Sequence, residues 1–108
     1  FKQSSRIGRI MFIKIHKSYR DVIAVCDSGL IGKYFEDEKF QLNLKESFYK
    51  GEEVSEEQAL AIIQDQSQED ATFNIVGEKS ITLALKAKII EEKGIKKIAG
   101  IPFALILI

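Results

Sequence analysis

Residues 74–85 read NIVGEKSITLAL. A short apolar run is followed by a glycine, a charged pair, a serine, and then apolar residues at helical spacing. The stretch is either the end of a phosphate-binding loop or the turn by which the chain leaves a strand and starts a helix. A nucleotide-hydrolase loop needs G-x-x-x-x-G-K-[ST] after a strand, so that successive backbone amides curl around the phosphates. Here Glu78 separates Gly77 from Lys79, and no glycine lies five residues before Gly77. Glu78 would also put negative charge where phosphate should sit. Nucleotide hydrolysis is set aside. A looser anion site survives, in which the Gly77 turn exposes helix amides and Asn74, Gly77, Lys79 and Ser80 surround one anion. The plainer alternative is that Gly77 makes the bend and Glu78 meets the helix dipole.

On either reading the stretch joins a short strand, Thr72–Val76, to a helix from about Glu78 to Glu92, ended by Gly94. Upstream, Ser55-Glu-Glu-Gln58 is a capping box, with Glu56 and Glu57 suiting the first turn. Ala59, Leu60, Ile62 and Ile63 give that helix its apolar side, and the pattern dissolves in residues 64–70. Residues 10–16 and 22–26 have strand composition, with 17–21 a hairpin loop. Gly29 and Gly32 punctuate a turn. Phe40–Leu44 alternates at period two, and 47–53 reads as a loop. Residues 95–98 and 102–108 are the last strands, the second apolar on both faces and so interior to a sheet. The order β-β-β-α-(β)-α-β-β predicts an α+β fold: a small mixed β-sheet with two helices packed on it, a two-layer single domain. Residues 1–10 read as a basic N-terminal extension and 11–108 as the domain.

The 108 residues are 45% hydrophobic and 30% charged, the balance of a globular chain with one modest core. The single cysteine, Cys26, allows no internal disulfide. No apolar run approaches the ~20 residues that cross a bilayer, and FKQSSRIGRI lacks the apolar core of a signal peptide. A cytoplasmic protein is expected. The formal net charge is zero, but the charges are sorted. Residues 1–33 hold seven Lys/Arg and two acids, 34–78 three Lys and twelve acids, and 79–108 six Lys and two Glu. Such sorting suits one basic face and one acidic face; mingling of both sets on the folded surface would cancel it.

Cys26 and His16 are each alone in their type. A tight hairpin would set His16 opposite about residue 23 and Cys26 opposite about residue 13, too far apart for a thiolate–imidazole couple. Cys26 reads as a small packed hydrophobe. No Cys/His/acid cluster has metal spacing, so neither a metal, a cofactor nor a catalytic residue is assigned. The acids at 36–38, 52–53 and 56–57 read as solvated surface. The basic residues carry more information. Lys14, Lys17 and Arg20, with Tyr19 beside them and Arg6 and Arg9 upstream, suit phosphates and a stacked base. Lys33, Lys79, Lys96 and Lys97 would extend the set. Surface solubility explains the same residues without a partner, and neither an RNP aromatic motif nor a GXXG loop is present.

From Met11 onward the chain resembles an uncharacterised archaeal family, domain-of-unknown-function family four-two-four. The resemblance is carried by MFIKIHKS, VIAVCDSGLIGKYFED, SFYKGEEVSEEQA, NIVGEKSITLALKAKII and IKKIAGIPFALILI. It implies an archaeal cytoplasmic protein of mixed α/β fold with no established activity, and a tilt toward RNA and translation. The matching positions Cys26, Asp27, Gly32, Lys33, Asn74 and Gly77 fall in or beside turns, the glycines for backbone reasons. Lys33, Asn74 and Lys79 are the better contact candidates. The expectation is a small translation-associated protein that binds ribosomal RNA or a ribosomal subunit and no membrane. The alternative is a non-enzymatic protein-interaction adaptor using the acidic middle segment or a sheet edge; another translation protein is a further candidate partner. An enzymatic reading would need the loops around Asp27, Lys33 and Asn74 to close one pocket.

Overall fold

A computed structural model describes residues 9–38, 40–68 and 71–107. It is an α+β domain built on a mixed six-stranded sheet. Strands β1 (Arg9–His16) and β2 (Asp21–Asp27) form the expected hairpin. Its register differs by one residue from the tight-turn expectation: His16 faces Val22 and Cys26 faces Phe12. The chain then runs through a 3-10 turn at Ser28–Leu30 into β3 (Tyr34–Glu36) and β4 (Gln41–Asn43), which pair only with each other. Helix α1 (Glu46–Tyr49), β5 (Glu52–Ser55), α2 (Glu56–Gln66), β6 (Ala71–Val76), α3 (Glu78–Lys86), β7 (Lys96–Ile98) and β8 (Ile101–Leu107) complete it. Sheet order is β5-β1-β2-β6-β8-β7, with β2 and β6 parallel and every other pair antiparallel.

Strand β1 begins at Arg9, so residues 9 and 10 belong to the sheet rather than to the extension. The rest of that segment, with Arg6, lies outside the described residues. Residues 47–53, expected as a loop, contain most of α1 and the start of β5. Strand β5 escapes pattern reading because it is an edge strand, whose Glu52 and Glu53 keep the edge in water. Helix α3 stops at Lys86, well short of Glu92. Lys88 adopts the left-handed conformation (φ 64°), the Ile89 amide donates to the Ala84 carbonyl, and the Lys88 amide to that of Leu85. This is a Schellman stop with lysine where glycine is usual.

Side chains alternate across the sheet and divide it into two faces. Met11, Ile13, Ile23, Val25, Phe73, Ile75 and Ala104 pack under α2 and α3, with Ala59, Ile63, Ile81, Leu83 and Ala84 from the helices. The capping box of α2 forms as read: the Gln58 amide donates to Ser55 Oγ, and the Ser55 amide to Gln58 Oε1. On the other face, Ala24, Cys26, Val76 and Ile98 are buried by Leu42, Leu44 and Tyr49 from the β3–β4 ribbon and α1. That cover reaches only part of the face.

Pro102 explains how a proline enters an inner strand. It sits beside Gly77, whose amide donates to the Pro102 carbonyl at 2.8 Å. The return bond, which proline cannot donate, is not needed, because the Gly77 carbonyl accepts from Ile81 of α3 at 2.9 Å.

Burial pushes the Cys26 thiol up from 9.0 to about 12, with the neighbouring Asp27 charge adding to the effect. Burial likewise lifts the Tyr49 phenol from 10.0 to about 12. Both groups keep their protons in the fold at a pH where the unfolded chain has lost them. Their contribution to stability is therefore complete below about pH 9 and declines as pH rises toward 12. Thermal melts between about pH 8 and 11 should show a falling Tm. In Cys26→Ala the decline should begin later, near the Tyr49 range.

Candidate functional site

Gly77 occupies a backbone conformation (φ 108°) that side-chain-bearing residues rarely adopt. A Cβ there would lie 2.3 Å from Cγ of Asp27, the last residue of β2. The glycine makes room for that carboxylate. Asp27 Oδ2 accepts from the Lys79 amide at 3.0 Å, and Oδ1 accepts from the Ser80 amide at 2.8 Å and the Ser80 hydroxyl at 2.7 Å. The first turn of α3 thus holds an anion, and that anion is the protein's own. Ser80 is fully buried. Asn74 is not part of this cap: it shares its side of the sheet with Ala24 and Leu105, away from α3.

Beside the cap is a trough of about 340 Å³ lined by Ile10, Asp27, Ser28, Gly29, Leu30, Glu78, Lys79, Ile101 and Pro102. Neither Lys33 nor Asn74 lines it, so the three loops of the enzymatic reading do not share this pocket. Lys33 lies beyond the 3-10 turn, its amide bonded to Leu30 and its carbonyl to Leu44. His16 and Cys26 sit at opposite ends of the hairpin, four residue pairs apart by the register. Among the described residues no group of three or more His, Cys, Asp or Glu is placed to hold a metal.

The basic residues gather at more than one place. Lys17, Tyr19 and Arg20 form the β1–β2 turn. Lys17 Nζ lies 3.1 Å from Asp21 and lowers its carboxyl pKa, while the Ser18 hydroxyl donates to the Arg20 carbonyl at 2.6 Å. These bonds fix the turn and leave Tyr19 fully exposed at the tip. Lys14, on the same hairpin, donates to the Ser47 carbonyl at 2.7 Å. The His16 ring stacks on Phe48 at 4.5 Å, and its Nε2–H donates to the Phe48 carbonyl at 2.9 Å. Arg9 begins the same strand, so roughly 23 Å of extended chain separates it from the turn at ~3.3 Å per residue. Lys79 lies on α3 at the Arg9 end of the sheet, by the trough. Lys96 and Lys97 lie on β7, four strands from β1 and so about 19 Å away at ~4.8 Å per strand. Lys97 lines a separate hollow with Asp37, Glu38 and Phe40.

What pattern reading missed is the surface next to the hairpin turn. Register places Lys14, Ala24, Asn74 and Leu105 in one row across four strands, with His16, Val22 and Thr72 in the next. Neither row contains a carboxylate, and Leu105 is 69% exposed. The hairpin turn and this half-open face adjoin, giving a cationic, partly aromatic surface. Its signal was present in the alternation of β6, where Thr72 and Asn74 interrupt an apolar strand.

Comparison with known proteins adds a family and a fold. A family model described as "Protein of unknown function (DUF424)" matches residues 16–108. The chain is also similar to the crystal structure of an uncharacterized conserved protein from Methanopyrus kandleri, with TM-score 0.82 and 24% identity over 91% of this chain and 90% of that one. At that identity the likeness speaks for the fold. No curated protein matches the chain.

Two substitutions test the cap. Gly77→Ala should lower unfolding free energy by about 3 kcal/mol or more, since backbone and carboxylate must both shift. Asp27→Asn keeps the shape but weakens charge-assisted bonds, and should cost about 1–3 kcal/mol. Urea unfolding of both variants checks the order. Equal stability of Gly77→Ala and wild type would remove the cap from its central place.

Proposed function

The chain belongs to the DUF424 family of proteins of unknown function, and from that premise we propose that it is a small RNA-contacting protein that works at the ribosome. The β1–β2 turn meets the RNA. Lys14, Lys17 and Arg20 take phosphates, and Tyr19 stacks on an unpaired base. The observation that carries this reading is the full exposure of Tyr19 on a turn whose own hydrogen bonds hold it out, next to a sheet surface without carboxylates. The Lys17–Asp21 pair is solvent-facing and contributes little, so a phosphate can take over Lys17 at small cost. Ribosomal RNA is the proposed target and the cytoplasm the proposed location. No described helix is long and apolar enough to cross a membrane.

The separation of Arg9, Lys79 and the β7 lysines from the turn confines the proposed contact to the hairpin end. Those lysines serve, on this reading, as a second and weaker contact zone. A non-enzymatic protein adaptor is the other reading. It draws on Glu52, Glu53, Glu56 and Glu57, which run along β5 and into the first turn of α2 at one edge of the sheet.

Binding of fluorescent single-stranded and hairpin RNA, followed by anisotropy over a salt series, separates the two. Tyr19→Ala should weaken single-stranded RNA binding about tenfold, the loss of one stacked base. Lys14→Ala, Lys17→Ala and Arg20→Ala together should flatten the salt slope by roughly 0.7 per lost contact on a single strand. Unchanged affinity and slope in both variants would sink the RNA reading. A complex in lysate that survives nuclease would favour the adaptor.

A further inference from the structure

Strand β6 is paired on both sides, by β2 and β8, yet it carries polar residues at Thr72 and Asn74. Both stand on the side of the sheet away from α2 and α3, and both are partly buried. Asparagine is among the residues that strands disfavour. Among the described residues neither side chain has a hydrogen-bond partner, and no buried polar side-chain atom is left unsatisfied, so both groups meet water. The fold makes no use of the Asn74 carboxamide. Its neighbours across the strand pairs are Ala24 on β2 and Leu105 on β8. Leu105 is 69% exposed and forms an apolar ledge beside the amide. Five residues of β2 and its turn separate Ala24 from Tyr19, so Asn74 lies within roughly 17 Å of Tyr19 at ~3.3 Å per residue and ~4.8 Å per strand. At ~3.4 Å per stacked nucleotide, about five nucleotides or fewer bridge the two places.

We propose that Asn74 reads an adenine in the RNA strand that the hairpin turn holds, an assignment that rests on the RNA reading and adds a base preference to it. A carboxamide carries an N–H donor beside a carbonyl acceptor. Adenine presents the complement, its 6-amino donor flanked by the ring acceptors N1 and N7, so two orientations of the base satisfy the side chain with two hydrogen bonds. Guanine offers O6 and N7 on its outer edge, two acceptors that suit arginine or lysine rather than a carboxamide. The pyrimidines have smaller rings and cover less of the Leu105 ledge. Charge favours the same occupant. The rows of the sheet around Asn74 carry Lys14 and His16 and no carboxylate, so a polyanion meets no repulsion from them. Tyr19 then holds one base by stacking, which tolerates any sequence, and Asn74 holds a second by its edge, which does not.

Anisotropy titrations of the full chain with uridine oligomers of roughly ten nucleotides, longer than the span from Tyr19 to Asn74, test the assignment. One internal adenine should tighten binding about tenfold, the discrimination of one two-bond base contact. Guanine, cytosine, or a purine lacking the 6-amino group at the same place should not. Asn74→Thr and Asn74→Val, both suited to a strand, should remove the adenine preference and leave the affinity for plain oligouridine and its salt slope unchanged; circular dichroism confirms that each variant is folded. Equal binding of every oligomer by the wild-type chain would overturn the base assignment and leave the RNA contact standing, whereas binding of none would overturn both. An adenine preference that both folded variants keep would place the reading residue elsewhere and overturn the assignment. So would a protein complex from nuclease-treated lysate that Asn74→Thr disrupts, which would give this face to the adaptor.

Discussion

The carboxylate of Asp27 holds the structure at the place where its parts meet. It ends β2, and its hydrogen bonds reach 52 and 53 residues along the chain to the first turn of α3. Gly77 completes the junction. Its missing side chain admits the carboxylate, its amide joins β8 through Pro102, and its carbonyl starts the hydrogen bonding of α3. Three elements remote in sequence are therefore fixed by two residues. Each bond to the Asp27 carboxylate is charge-assisted and stronger than a neutral one, so helix α3 is held to the sheet by direction as well as by apolar area.

The GEKS stretch illustrates how much was legible in the sequence. Glycine, free amides and a helix start were all readable, and so was the absence of a nucleotide loop. What filled the amides was not, because Asp27 lies about fifty residues away and no local pattern links the two. The capping box of α2 was legible because its partners are three residues apart. Strands β1, β2, β6 and β8 were legible because their apolar residues lie on buried faces. Strand β5 and helix α1 were hidden by their polar composition, and the end of α3 by a lysine doing what glycine usually does. The scattering of the basic residues was likewise invisible in a linear count of charge. It depends on which end of β1 each residue occupies and on the four-strand offset of β7.

The two faces of the sheet divide the labour of the molecule. One is closed by α2 and α3 and is almost wholly apolar. Among the described residues, the other is covered by α1 and the β3–β4 ribbon, and there Cys26 is packed as a hydrophobe. Toward the hairpin turn the same face carries Lys14 and His16, which tie α1 down, and beside them Thr72 and Asn74, which the core does not require. Polar positions that packing does not call for are where a partner is best sought.

The parallel pairing of β2 with β6 also bears on how the chain acquires its shape. Asp21 and Ala71 are neighbours across that pair although fifty residues separate them. Closing such a loop costs on the order of 3–4 kcal/mol of chain entropy before packing repays it. The β1–β2 hairpin needs no such closure and is free to form while the chain is still emerging from the ribosome. Strand β6 cannot be flanked on both sides until β8, some twenty-five residues further on, has been made. The order of synthesis therefore leaves an early hairpin waiting for later strands before the central sheet can close around β6.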